Sequence, residues 1–373
     1  MRLKLNFSIA MVSVLAFMLW SLPASAAVAA GAVYTLNNSS SGNAVLMYSR
    51  SADGKLTAGG TFSTGGLGSG AGLGSEGALA LDASNRFLFA VNAASNSVSV
   101  FAVTADGLSL VGATASGGQN PISLTAFGNL LYVLNDGGAV GGTDTVAGFK
   151  VDEHGHLRMI SQGTPLSAPS VGPAQISFNP EGNLLIVTEK DTNKIDVFSL
   201  DSDGVVAGKK VIASAAQTPY GFAFGKRDDL FVSDAFGGAA SAGALSSYMV
   251  SDDGSVRTIS SASADNQTAP CWVAVTNDGR FAYTTNTGSG TVSGYSIGYG
   301  GGVRLLNSDG ITANLGASSA PIDLAISNDS RFLYVLGPGT GVIDGFGIAL
   351  NGSLTPGSAV AGLPASTSGL AVR

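Results

Sequence analysis

Apolar and polar positions alternate with a period of two through most of this chain, in short runs cut by turns rich in Gly, Asn and Asp. Examples are RFLFAVN at 86–92, NLLIVTE at 183–189, RFAYTTN at 280–286 and RFLYVLG at 331–337. A second alternating run follows each, such as SVSVFAV at 97–103, KIDVFSL at 194–200 and TVSGYSI at 291–297. Then comes an Asp-Gly or Asn-Gly dipeptide: 106–107, 203–204, 253–254 or 351–352. Period-two alternation bounded by such dipeptides predicts antiparallel hairpins. No window keeps a helical period for more than a turn or two before Gly or Pro intervenes.

The runs belong to a longer repeat. A motif that often opens with Pro and ends in an apolar-small-apolar triplet recurs as PAQISF from Pro173, PYGFAF from Pro219, PCWVAV from Pro270 and PIDLAI from Pro321. PISLTA from Pro121, EGALAL from Glu76 and TSGLAV from Thr367 are weaker copies. Four short strands per unit at this period is the arithmetic of a propeller blade. Residues 32–63 form a unit lacking its first strand, and 367–373 form a first strand lacking its unit. Joined, they close an all-β, seven-bladed β-propeller spanning 27–373 and leave no open inner edge.

In that geometry the first strand of each blade lines a central channel, and the second returns to the same, upper face. Two sets of polar residues are therefore expected at one funnel. The strand-two ends give Asn37, Asn92, Asn135, Glu189, Asp234 and Asn286; the strand-one starts give Gln175, Tyr220, Cys271, Trp272 and Asp323. Asn and Asp also follow strands for purely conformational reasons, whereas Glu gains nothing in a turn, which singles out Glu189. Loops of small residues at 65–76, 136–144 and 235–244 are expected on the upper face as connections between blades. They lack the Gly-Lys-Ser/Thr of a phosphate loop.

Composition narrows the chemistry. Residues 1–26 read as a secretory signal: Arg2 and Lys4, an apolar run from Ile9 to Leu22, then Ala24-Ser25-Ala26, with Ala29 as the alternative cleavage point. The protein is thus expected to be exported, to the periplasm or beyond, with no membrane partner once the signal is removed. The whole chain carries a formal charge of −7 and shows no basic stripe, which argues against nucleic acid. Cys271 is the single cysteine, so no intrachain disulfide exists. The two histidines, His154 and His156, fall on a predicted hairpin turn of the lower, outer side, which removes a Ser-His-Asp triad or histidine zinc site from the funnel.

The segments NDSRFLYVLG, NDGRFAYTTN and FNPEGNLLIVTEK resemble the seven-bladed propeller lactonases, the family of 6-phosphogluconolactonase-type hydrolases and 3-carboxy-cis,cis-muconate lactonizing enzymes. GPAQISFNPEGNLLIVTEK is similar to a family segment that carries an Arg, a His and a Glu implicated in lactone chemistry. By position Gly172, Pro173, Phe178, Pro180, Gly182 and Glu189 match, while Ala174 and Gln175 stand in place of the Arg and His. The resemblance implies a lactone hydrolase with Glu189 as base and Gln175 as a polar helper. Two further readings stand beside it. One is a non-catalytic propeller that binds a small molecule, glycan or protein at the funnel through Asn37, Asn92, Asn135, Asp234, Asn286, Tyr220 and Trp272. The other is a calcium-assisted lactonase with Glu189, Asp234 and nearby Asn side chains as oxygen ligands; otherwise no cofactor or metal is expected.

Overall fold

The computed structural model describes residues 30–373 and Met1; residues 2–29, which include most of the segment read as a signal, lie outside the described residues. Seven antiparallel sheets form the ring, six of them ordered from inner to outer strand as the chain runs. Blade 4 is typical: Pro173–Phe178, Leu184–Glu189, Lys194–Leu200 and Val206–Ala213. The inner strands of blades 2, 3, 5, 6 and 7 are Leu79–Leu81, Pro121–Phe127, Pro219–Phe224, Pro270–Val275 and Asp323–Ile326. In blade 6 the outermost strand is broken into Val303–Leu305 and Ala313–Asn314. The loops at 136–144 and 235–244, expected as connections between blades, instead join the second and third strands within blades 3 and 5, and each contains a short 3-10 turn, Gly137–Val140 and Phe236–Gly238.

Blade 1 closes the ring. Ser368–Val372 supplies its inner strand and pairs with Gly31–Leu36, which continues into Ala44–Arg50 and Leu56–Ser63. Thr35 Oγ1 donates to the Gly369 carbonyl at 2.6 Å, and the amide of Arg373 to the Ala32 carbonyl at 2.9 Å.

Alternation along each strand sends side chains to the two flat faces of its blade, where they pack against neighbouring blades. The second strands are buried on both faces; Leu184–Glu189 is buried at every position. One tie between blades repeats. Tyr132, Tyr283 and Tyr334 occupy equivalent second-strand positions, and each hydroxyl donates to the turn glycine of the next blade: Gly204, Gly352 and Gly54, at 2.7, 2.8 and 2.8 Å. At Gly352 φ is +84°, and a Cβ would stand 2.6 Å from the Phe281 ring. The Asp-Gly-type turns are therefore docking points between blades as well as hairpin closures.

Candidate functional site: the central channel

The ring of strand-two ends does not face the axis. Because side chains of a second strand point to blade faces, these residues reach the third strand and the loops above it. Asn92 donates to Ser97 Oγ and Ser99 Oγ at 3.2 and 2.8 Å, and Asn286 donates to Thr291 Oγ1 and Ser293 Oγ at 3.0 and 2.8 Å. Asp234 accepts from Ser246 Oγ at 2.5 Å. Asn37 Oδ1 accepts the amides of Ser39 and Ala44 and closes its own turn. Asn135 is fully buried against Gly118 without a hydrogen-bond partner.

Glu189 follows the same geometry and corrects the expectation of a funnel carboxylate. It is 0 % exposed, and its two oxygens are taken by the Ser167 amide at 3.0 Å, the Ser167 hydroxyl at 2.6 Å and the Thr192 hydroxyl. It sits opposite Lys194 on the third strand and beside Asp196, also fully buried. Its carboxylate is thus directed outward along blade 4. Glu189 and Asp234 have separate hydroxyl partners, Ser167 and Thr192 for the one and Ser246 for the other.

The strand-one set does reach the axis, in two layers. The upper layer is covered. Residues 65–76 leave blade 1 and cross the channel mouth before entering blade 2: the Trp272 indole donates to the Ser75 carbonyl at 3.3 Å, the Ser75 hydroxyl to the Ile122 carbonyl at 2.8 Å and the Glu76 amide to the Ala174 carbonyl at 3.1 Å. Lys190 Nζ donates to the Gly74 carbonyl at 2.7 Å and lies 4.8 Å from the centre of the Tyr220 ring, which in turn packs on Trp272 at 5.1 Å. Trp272 is only 3 % exposed, so its face is not free to stack a ligand. Cys271 beside it is buried, and burial pushes its thiol up to about 12, which leaves it unionised and unreactive at neutral pH. His154 and His156 lie on an exposed turn, both held by Asp152, as the sequence indicates.

Below this layer is a cavity of about 480 Å³, bounded at its head by Glu76 and Gln175 and at its foot by the inner-strand ends, with Phe127, Phe178, Phe224 and Val275 among its walls. Glu76 reaches across the axis from blade 2. A Cβ on Gly221 of blade 5 would collide with its Oε2, and the Val273 amide of blade 6 lies 3.5 Å from the same oxygen. Burial, then the charge of Asp323, holds the Glu76 carboxyl well above the usual carboxylate range; burial does the same to Asp323. Asp323 is 2 % exposed; its Oδ1 accepts the Leu324 amide at 2.8 Å and its Oδ2 has no partner. Among the described residues neither acid forms an ion pair. Gln175 Oε1 accepts the Phe222 amide at 2.6 Å, and its amide nitrogen makes no hydrogen bond among the described residues. The Glu76 carboxyl and the free Gln175 amide thus line the head of one cavity, with the buried Asp323 carboxyl near enough to raise Glu76. Glu76 escaped the sequence reading, although one signal was there: it holds the first position of the repeated motif, where five copies have Pro.

Buried acids elsewhere set a pH dependence of stability. Burial pushes Asp196 and Asp234 up to about 7, with the Glu189 charge adding to it for Asp196, and Asp136 and Asp265 up to about 6. An unfolded Asp titrates near 3.9. Between that value and the folded ones the unfolded chain binds fewer protons, so stability falls as pH rises through about 4 to 7 and then levels off. The opposite group is Asp53, Asp152 and Asp253, whose carboxylates are held low by hydrogen bonds from the Ser51 hydroxyl and from the His156 and Ser255 amides. They withdraw stability only as pH falls below about 4. The melting temperature is expected to be higher at pH 5 than at pH 8 by on the order of 5 °C. Calorimetry at the two pH values checks this, and an equal or higher transition at pH 8 contradicts it.

The fold and the channel define a seven-bladed propeller with an acidic axial cavity, and comparison with known proteins gives its kinship. The family model described as Lactonase, 7-bladed beta-propeller, matches residues 28–139 and 122–224, together more than half of the chain. The chain belongs to that family. Among solved structures it is similar to the periplasmic gluconolactonase of Pseudomonas aeruginosa, with 17% identity, 91% of this chain and 99% of that one covered, and a TM-score of 0.71. A candidate 6-phosphogluconolactonase of Bacteroides fragilis is 17% identical over 94% of this chain and 99% of that one, with a TM-score of 0.69. A Lactobacillus plantarum protein is 15% identical over 92% and 99%, with a TM-score of 0.70. At these identities the likeness is one of fold. No match is found among curated protein sequences.

Proposed function

We propose that this protein is a lactone hydrolase whose reaction centre is the head of the central channel. The reading rests on one observation: in a lactonase-family propeller, the Glu76 carboxyl, raised by burial and by the charge of Asp323 and with no ion-pair partner among the described residues, lines an axial cavity beside an unbonded amide donor. The charge of Asp323 opposes ionisation of Glu76, and the proposed reaction uses the pair with one proton between its members.

The ionised member takes a proton from a water molecule as the water oxygen adds to the lactone carbonyl carbon. The Gln175 side-chain amide donates to the oxygen that gathers charge. Collapse of the adduct breaks the ring C–O bond, and the departing alkoxide takes the proton held by the other carboxyl, leaving a hydroxy acid. Gln175 thus keeps the helper role the sequence suggests, while the base moves from Glu189 to the Glu76–Asp323 pair. The test is hydrolysis of a set of γ- and δ-lactones followed by pH-stat. Opening above the uncatalysed rate, with a rate that declines on both sides of a maximum, is expected. A purified, folded protein that opens none of them ends this reading.

A further inference from the structure

The upper mouth, covered by 65–76, leaves the lower mouth as the route into the cavity. That mouth differs in chemistry from the head. Phe127, Phe178, Phe224 and Val275 line it, and no Lys or Arg is among the residues lining the cavity. Phe127 and Phe178 pack with ring centres 5.6 Å apart, and Phe127 remains 39% exposed. Lys190 stands on the far side of the covering loop with its ammonium committed to the Gly74 carbonyl, and Lys226, which follows the lining residue Gly225, is exposed with its stem against Gly279. Within the cavity a phosphate or carboxylate on the substrate would therefore meet the Glu76 carboxyl and no lining lysine or arginine, at the cost of desolvating its charge. An apolar substituent would instead be buried against aromatic walls, which is where concave, mostly apolar sites gain affinity.

We infer that the substrates are uncharged lactones carrying an alkyl or aryl substituent, taken in through the lower mouth with the lactone ring at Gln175 and Glu76 and the substituent among Phe127, Phe178 and Phe224. This rests on the hydrolase reading and goes beyond it by excluding anionic sugar lactones as preferred substrates. The experiment compares kcat/KM of the purified protein for dihydrocoumarin, glucono-δ-lactone and 6-phosphoglucono-δ-lactone, each corrected for spontaneous opening. Dihydrocoumarin is expected to exceed the phosphorylated sugar lactone by at least about tenfold, the scale on which an apolar pocket discriminates. Phe224→Ala and Phe127→Ala, at positions with solvent access, are expected to raise KM for dihydrocoumarin several-fold. Equal or better hydrolysis of the phosphorylated lactone overturns the substrate class and leaves the hydrolase standing. Failure to open any of the three overturns both. Should a Phe variant fold poorly, the ratio measured on the unaltered protein still decides.

Discussion

A protein lacking residues 367–373 is expected to lose its cooperative thermal transition and its solubility. Those residues supply the inner strand of blade 1, with Leu370 buried at 7% exposure, and pair with Gly31–Leu36. Their loss would expose the buried inner edge of that blade, including Val33, Tyr34 and Leu36. It would also break the Thr35–Gly369 and Ala32–Arg373 hydrogen bonds, together with the hold of the Arg50 guanidinium on the Arg373 carbonyl. Burial of an apolar side chain is worth about 1.5–3 kcal/mol and each hydrogen bond about 1 kcal/mol net. The strand as a whole is therefore worth on the order of 10 kcal/mol, comparable with the entire stability of a typical domain. It also packs on the inner strands of blades 2 and 7, so its removal opens the ring rather than trimming its end. Circular dichroism melting and size-exclusion chromatography check the result; a truncated monomer that melts cooperatively within a few degrees of the full chain refutes closure by this strand.

The ring could be read from the sequence because its marks are local. Alternating runs, Pro at the head of an inner strand and Asp-Gly turns each act within a few residues, and seven copies in order leave little choice of architecture. The direction of side chains was harder, because it depends on register. Glu189 lies at the upper end of its strand, and its position alone suggested the funnel; the alternation of the pleat instead sends it toward Asp196 and the Ser167 loop. Asn92 and Asn286 were displaced by the same effect. Glu76 failed for another reason. Its place in the channel depends on a close approach across the axis to Gly221, a pairing of residues 145 positions apart that no strand pattern encodes. Asp323 was recognised as a channel residue, yet its coupling to Glu76 requires both blades to be in place.

Glu76→Gln is expected to lower lactone kcat/KM by about 10²–10⁴, the usual worth of a positioned acid or base. Asp323→Asn should lose a similar factor. The double variant should lose little more than either single one, because two carboxyls that share a proton act as a unit. Stability should respond in the opposite sense. Both acids are held well above the carboxylate range by burial, so ionising them destabilises the fold, and a neutral amide of the same shape removes that burden. At pH 8 each single variant should melt at or above the temperature of the parent while being catalytically impaired, a combination that loss of folding cannot produce. Glu189→Gln supplies the contrast. Its carboxylate is held by Ser167 and Thr192 away from the channel, so its effect should fall on the melting temperature, with kcat/KM of the folded protein within a few-fold of the parent. Steady-state kinetics and calorimetry on the same preparations decide between the two glutamates. Full activity in Glu76→Gln, or a folded Glu189→Gln protein as inactive as the channel variants are expected to be, would remove the carboxyl pair from the reaction.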